Sequence, residues 1–324
     1  MTAYVEGILN QNRSILGRAI TLIESQRGSD RLLAESVLRE ILPHTGQAIR
    51  IGITGVPGVG KSTFLDKFGM QLIDAGKQVA VLAIDPSSSI SGGSILGDKT
   101  RMHNLSMSQQ AFVRPSPTDS YLGGVARKTK ESMLLCEAAG YDVILVESVG
   151  VGQSETILSS MVDCFVALML PNAGDELQGI KKGLLEMVDI IAINKSDGDF
   201  QIPAKIAQRE YAAAVHYLSS RHQSWKPQVC RISGLTGDGL PELWEMILDF
   251  QVKMQNSQEW EGLRQKQRSE WLMTMLKDEL WWQFIHHEQV KKHLPQAVQS
   301  VQNGSDLPNE FVRKLLSMWG DKNP

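Results

Sequence analysis

At 324 residues the chain can form one large domain or two modest ones. Apolar residues make up 42 % and charged residues 21 %, which supports a sizeable core and excludes wholesale disorder. The 33 basic side chains fall short of the 36 acidic ones, a net charge of −3, and this argues against a broad nonspecific nucleic-acid surface.

Cys136, Cys164 and Cys230 are widely separated, and the last two lie in apolar runs. They read as buried small hydrophobes of a reducing compartment, neither disulfides nor a metal cluster. The opening residues, Met1 to Glu6, lack a basic start and a long apolar stretch, so no signal peptide is expected. No apolar run approaches the roughly 20 residues of a membrane span. The expected location is cytoplasmic, with no membrane contact.

Residues 1–45 read as helices. Ile15, Leu16, Ala19, Ile20 and Ile23 share one face, and Leu33, Val37, Leu38 and Ile41 repeat the pattern after a break at Gly28-Ser29-Asp30. Pro43 and Gly46 end the segment. Its face either packs beside the main domain or docks a partner.

The next stretch matches G-x-x-x-x-G-K-[ST] without a mismatch: Gly55-Val56-Pro57-Gly58-Val59-Gly60-Lys61-Ser62-Thr63. A strand-like run at 49–54 precedes it. A helix-compatible run from Thr63 to Ala75 follows, with Phe64, Leu65, Phe68, Leu72 and Ile73 at helical spacing. That is the strand–loop–helix setting of a phosphate-binding loop. Gly55, Gly58 and Gly60 let backbone N–H groups approach phosphate oxygens with no Cβ in the way. The helix opening near Lys61 adds unpaired N–H groups and a positive dipole end. Lys61 is expected to reach the β- and γ-phosphates, and the Ser62 hydroxyl to ligate Mg²⁺.

Further strands are expected at 79–84, 110–113, 141–147, 164–170, 188–193 and 227–232. Most are continuous apolar runs, the pattern of strands covered on both faces, which indicates a parallel α/β sheet. Ligands of such sheets sit at the carboxyl ends of the strands, and the polar motifs fall there. Asp85 follows the strand at 79–84 and opens a Ser/Gly-rich loop reaching Asp98 and Arg101. Two acids beside a triphosphate suit a cation site, held directly or through water, or orientation of the attacking water. The alternative is that Asp85 caps a turn and Asp98 a helix. Glu147 closes the strand at 141–147, and Gly150 follows three residues later. This fits a metal-side acid followed by a loop that senses the γ-phosphate. Val151 stands where GTPases that position water with Gln would carry it, and Gln153 is two residues further on. Slow intrinsic hydrolysis that needs a partner is therefore expected.

Pro171 to Gly183 reads as a Gly- and acid-containing loop running into a helix N-terminus, or as a plain loop, again after a strand. Asn194-Lys195-Ser196-Asp197 follows the strand at 188–193. A carboxylate at Asp197 accepts from guanine N1–H and the exocyclic amine, which adenine cannot match. The mismatch costs roughly 1–3 kcal/mol for each group left unpaired. Asn194 is expected to address the other edge of the base and the Lys195 stem to cover its face. Ser233-Gly234-Leu235 would add backbone contacts to the base.

After about Ser257 the composition shifts: five of the seven Trp lie at or beyond Trp260. Leu272, Leu276, Leu280 and Phe284, with Met275, can share a helical face, which calls for a two-fold partner or for packing onto the chain's own domain. His286 and His287 are adjacent, so they diverge on a helix and do not make a metal pair.

Together the Gly55–Thr63 loop, Asp85-Pro86-Ser87-Ser88 with Gly97-Asp98-Lys99-Thr100-Arg101-Met102, Glu147 to Glu155, Gly174 to Lys181 and Asn194 to Asp197 resemble the MeaB/ArgK/MMAA GTPases. The resemblance covers nearly the whole chain. It implies a G-protein chaperone that gates cofactor loading and protection of adenosylcobalamin-dependent methylmalonyl-CoA mutase, and a homodimer built on the C-terminal extension. It also implies that Lys61, Asp85, Asp98 and Glu147 are active-site positions, and that Gly174 to Lys182 is an additional switch loop. The expected organisation is an N-terminal helical segment at 1–45, a P-loop GTPase domain with a mostly parallel sheet at 46–255, and a C-terminal helical dimerisation extension at 256–324. GTP or GDP with Mg²⁺ is the expected ligand. Two rivals are an ATP-dependent kinase linked to basic amino-acid transport and a nickel-insertion-type metallochaperone GTPase. Asn194 to Asp197 favours guanine over the first, and the three scattered cysteines oppose the second.

Overall fold

The computed structural model describes residues 1–25, 27–84, 102–114, 122–148, 154–171, 182–216 and 220–320. Among them, the apolar runs form seven parallel strands: β1 (Ile49–Gly55), β2 (Val79–Ile84), β3 (Ala111–Arg114), β4 (Val143–Ser148), β5 (Cys164–Met169), β6 (Ile190–Ile193) and β7 (Gln228–Arg231). Their order is β3-β2-β4-β1-β5-β6-β7. The alternation of side chains sorts the apolar residues into two cores. Val79, Val81, Val143 and Leu145 face one side of the sheet, and Ala80, Leu82, Ile144 and Val146 the other. The continuous hydrophobic runs follow from this two-sided burial.

On the first side lie α4 (Lys61–Asp74) and α10 (Leu240–Asn256), which contribute Phe64, Phe68, Leu243 and Ile247. On the other lie α1 (Thr2–Leu9), α2 (Arg13–Glu24), α3 (Gly28–Ile41), α6 (Leu122–Ala138), α7 (Ser154–Ser159) and α9 (Gln201–His216). Leu16, Ala19, Ile20 and Ile23 of α2 are buried there, as are Val37 and Ile41 of α3. Short helices α5 (His103–Met107) and α8 (Lys182–Leu185) complete this part of the chain. The break between α2 and α3 lies earlier than the glycine suggests. Gly28-Ser29-Asp30 forms the first turn of α3, where Asp30 complements the helix dipole and accepts the Ser25 hydroxyl at 2.6 Å.

Three aspartates set the strands' amino ends. Asp142, Asp163 and Asp189 each stand just before a strand and accept the N–H of a residue at the start of its neighbour. Asp142 takes Gln78, Asp163 takes Arg50 and Asp189 takes Phe165, each at 2.8 Å. These bonds replace ladder partners where pairing begins. They also explain why β4 and β6 start later than their apolar runs suggest.

Contacts divide the chain into two compact units, Met1–Gln267 and Arg268–Pro324, with the boundary inside α11 (Glu259–His286). Within the first unit, Arg264 of α11 is buried and donates to Asp163 through two nitrogens, at 2.8 and 2.7 Å, and to the Ala48 carbonyl at 2.7 Å. Gln267 donates to the Val162 carbonyl at 2.7 Å. The second unit holds the remainder of α11 with α12 (Glu288–Gln302) and α13 (Pro308–Gly320) around Val290, Ala297 and Leu315. Phe284 meets Trp319 edge to face. Leu272, Leu276 and Leu280 are exposed, at 66 %, 48 % and 44 %.

Candidate functional site

The loop between β1 and α4 sits at the carboxyl edge of the sheet. β1 is flanked by β4 and β5, and the chain crosses from one side of β1 to the other between those two strands. A crevice at such a switch point is where open α/β sheets take ligands. Gly60, in the left-handed region at φ +95°, is the N-cap of α4. Its backbone conformation lets the chain turn from the loop into the helix at a point only glycine adopts without strain. Val59 anchors the loop in the core, whereas Pro57 and Gly58 stand exposed. Lys61 and Ser62 are half-buried in the first turn of the helix, and Thr63 is exposed.

Lys61 Nζ donates to the Gly55 carbonyl at 2.7 Å and lies 3.5 Å from that of Val56. Burial lowers its pKa below the ordinary lysine value, while the charges of Glu147 and Glu155 pull it back up. Glu147 is brought there by topology. β4 is the direct neighbour of β1, and the register sets Glu147 against Ile53, two residues before Gly55. One position on, the Ser148 hydroxyl donates to Thr54 Oγ1 at 2.9 Å between two fully buried side chains. This bond ties the tips of the two strands together. Glu155, in the first turn of α7, is an acid near Lys61 to which the sequence reading assigned no role.

The second half of the site follows β6 and β7. Asn194 is buried. Its Nδ2 donates to the Val59 carbonyl at 2.8 Å and its Oδ1 accepts the Gly234 N–H at 2.9 Å. The side chain therefore braces the phosphate loop against the loop after β7, a role that spacing did not reveal. One donor and one acceptor position of the amide remain for a ligand. Lys195, at φ +58°, reaches back to the Gly58 carbonyl at 2.8 Å. Asp197 accepts the Ser233 hydroxyl, and that oxygen in turn accepts the Thr236 N–H at 3.0 Å. Ser233 thus orients the carboxylate through its side chain, where backbone contacts alone were expected of it. A Cβ on Gly234 would lie 3.0 Å from Phe64 Cα, so a larger residue would push this loop off α4 by a few tenths of an ångström. Leu235 is 72 % exposed beside it.

Gly55, Val56, Pro57, Gly58, Val59, Gly60, Lys61, Ser62 and Thr63 thus share one edge with Glu147, Asn194, Lys195, Asp197, Ser233, Gly234 and Leu235. Asp85, Asp98, Gly150, Gln153 and the 174–181 loop lie outside the described residues. The cysteines are all in the cores. Burial pushes the thiols of Cys136 and Cys164 far up and that of Cys230 to about 12, which disfavours the thiolates a soft metal needs. No helix of the described residues is long and apolar enough to cross a membrane.

The arrangement joins a polyphosphate cradle to a carboxylate suited to a base. The family model "Methylmalonyl Co-A mutase-associated GTPase MeaB" matches residues 16–289. GTPase ArgK of Escherichia coli (strain K12) is 45 % identical over 303 residues, covering 94 % of this chain and 92 % of that protein. The Mus musculus protein "Methylmalonic aciduria type A homolog, mitochondrial" is 42 % identical over 327 residues, covering 98 % of this chain and 79 % of its own. Among solved structures, a LAO/AO transport system kinase matches with a TM-score of 0.78 at 38 % identity, over 98 % of this chain and 97 % of that one.

Proposed function

The chain belongs to the MeaB family of methylmalonyl Co-A mutase-associated GTPases, and from that premise we propose that it is a nucleotide-switched chaperone of an adenosylcobalamin-dependent methylmalonyl-CoA mutase. Lys61 and the N–H groups of the loop hold the β- and γ-phosphates of GTP. Asp197, oriented by Ser233, reads guanine. The oxygen-rich pair Ser62 and Glu147 fits a hard cation, and Asp85 and Asp98 join them as proposed ligands. Bound Mg²⁺ would neutralise phosphate charge there. Gly150 is proposed as the γ-phosphate sensor and Gly174 to Lys182 as the loop that reports nucleotide state to the mutase.

The observation that carries this reading is Asn194, which couples the phosphate loop to the base-reading loop through Val59 and Gly234. A client that prefers one loop state is switched by hydrolysis. Hydrolysis by the isolated protein is slow, because Val151 stands where a water-positioning Gln would be. The exposed Leu272, Leu276 and Leu280 support a homodimer through the C-terminal unit.

The test is a pull-down with protein loaded with a non-hydrolysable GTP analogue or with GDP, read by mass spectrometry. Recovery of the mutase that differs between the two states is expected. Equal recovery in both, or none, overturns the chaperone reading.

A further inference from the structure

A cavity of about 600 Å³ opens on the surface of α2. That volume falls within the range of small-molecule sites, on the order of 300–1,000 Å³. Arg18 and Arg27 line it, and neither has a carboxylate partner among the described residues. Arg18 is instead held over the Tyr4 ring, 5.8 Å from its centre. The cavity's own acids are already engaged. Glu24 is held by Arg114, which also donates to Thr21 Oγ1 at 3.3 Å, and Asp30 accepts from Ser25. Glu24 Oε1 and Arg114 Nε are themselves buried without a hydrogen-bond partner. Leu22 and Tyr4 supply an apolar flank.

Arg18 and Arg27 share the lining with Glu24 and Asp30, and the ion pair with Arg114, which lies outside the lining, offsets the charge of Glu24. Guanidiniums without a carboxylate partner bind phosphate through paired, charge-assisted hydrogen bonds. We propose that this cavity binds an organic phosphate, its dianionic group on Arg18 and Arg27 and its apolar body against Leu22 and Tyr4. The cavity shares no lining residue with the guanine nucleotide site and does not depend on that assignment.

The test uses the full chain with its phosphate loop saturated with GDP and magnesium, titrated calorimetrically with 1-naphthyl phosphate, inorganic phosphate and 1-naphthol. Naphthyl phosphate is expected to bind at least about tenfold more tightly than either fragment. The Arg18→Ala/Arg27→Ala double variant is expected to lose about tenfold or more of that affinity, with GDP affinity unchanged. Both arginines are exposed, so the variant keeps the fold. Naphthyl phosphate that binds no better than inorganic phosphate, or binding that survives both substitutions, would overturn the site.

Discussion

Asn194 Nδ2 donates to the Val59 carbonyl at 2.8 Å across 135 residues of sequence. Replacing Asn194 with Ala leaves that carbonyl and the Gly234 N–H unsatisfied in a buried setting, a loss of roughly 1–3 kcal/mol for each group. Both the phosphate loop and the base loop lose their shared brace. The expected result is a fall in GTP and GDP affinity alike, by about tenfold or more, measured by calorimetry. A variant with wild-type affinity for both would show that the loops hold their positions without it.

Asp197→Asn tests the base reading separately. The amide presents a donor where guanine needs an acceptor, so GTP affinity falls by roughly tenfold to a hundredfold. Xanthine offers a carbonyl in place of the exocyclic amine, so XTP affinity rises. Competition binding with GTP, XTP and ATP checks this. If GTP remains preferred, Asp197 does not read the base.

Lys61 titrates below its ordinary value of 10.5 because burial disfavours its charge. Unfolding restores the ordinary value. In the alkaline window between the folded value and 10.5 the unfolded chain binds more protons, so stability of the ligand-free protein contributed by this group rises with pH. A bound polyphosphate favours the charged form, so nucleotide binding takes up protons in that window. Calorimetry in two buffers of different ionisation heat reads the uptake, and Lys61→Met abolishes it. Identical heats in both buffers would contradict the assignment.

Removing Arg264 strands the buried Asp163 carboxylate. A cost of about 3–5 kcal/mol is expected for Arg264→Ala, seen as a lower denaturant midpoint of the Met1–Gln267 unit. Arg264→Met paired with Asp163→Asn removes both charges and recovers part of the loss. A double variant no more stable than Arg264→Ala would place the effect in packing.

The exposed Leu276 tests self-association. Leu276→Glu puts a charge on the apolar face of α11, which is expected to weaken a dimer by tenfold or more while leaving GDP affinity unchanged. Sedimentation at several concentrations measures it. A monomer mass at every concentration for the unsubstituted protein excludes the dimer, and an unchanged dimer mass for the variant excludes this face.

Much of this was legible along the chain. The strand at Ile49, the phosphate loop and α4 are contiguous, so residue type and spacing specify them directly. The same holds for Asn194 to Asp197 behind an apolar run. The partners of Asn194, Asp163 and Arg264 were not legible, because they lie between 40 and 218 residues away and a hydrogen bond leaves no periodic mark on the sequence. The place of Glu155 beside Lys61 was not legible for the same reason: only the placement of α7 brings it there.

Local order in the chain determined the motif and the two-sided strands, since close backbone approach demands glycine and double burial demands continuous apolar runs. Strand order was a tertiary decision. β4, third from the edge, lies against β1 although β2 follows β1 in sequence. That adjacency sets Glu147 opposite Ile53 and within electrostatic reach of Lys61. Packing chooses neighbours by the fit of whole surfaces, and no short stretch of residues carries that information.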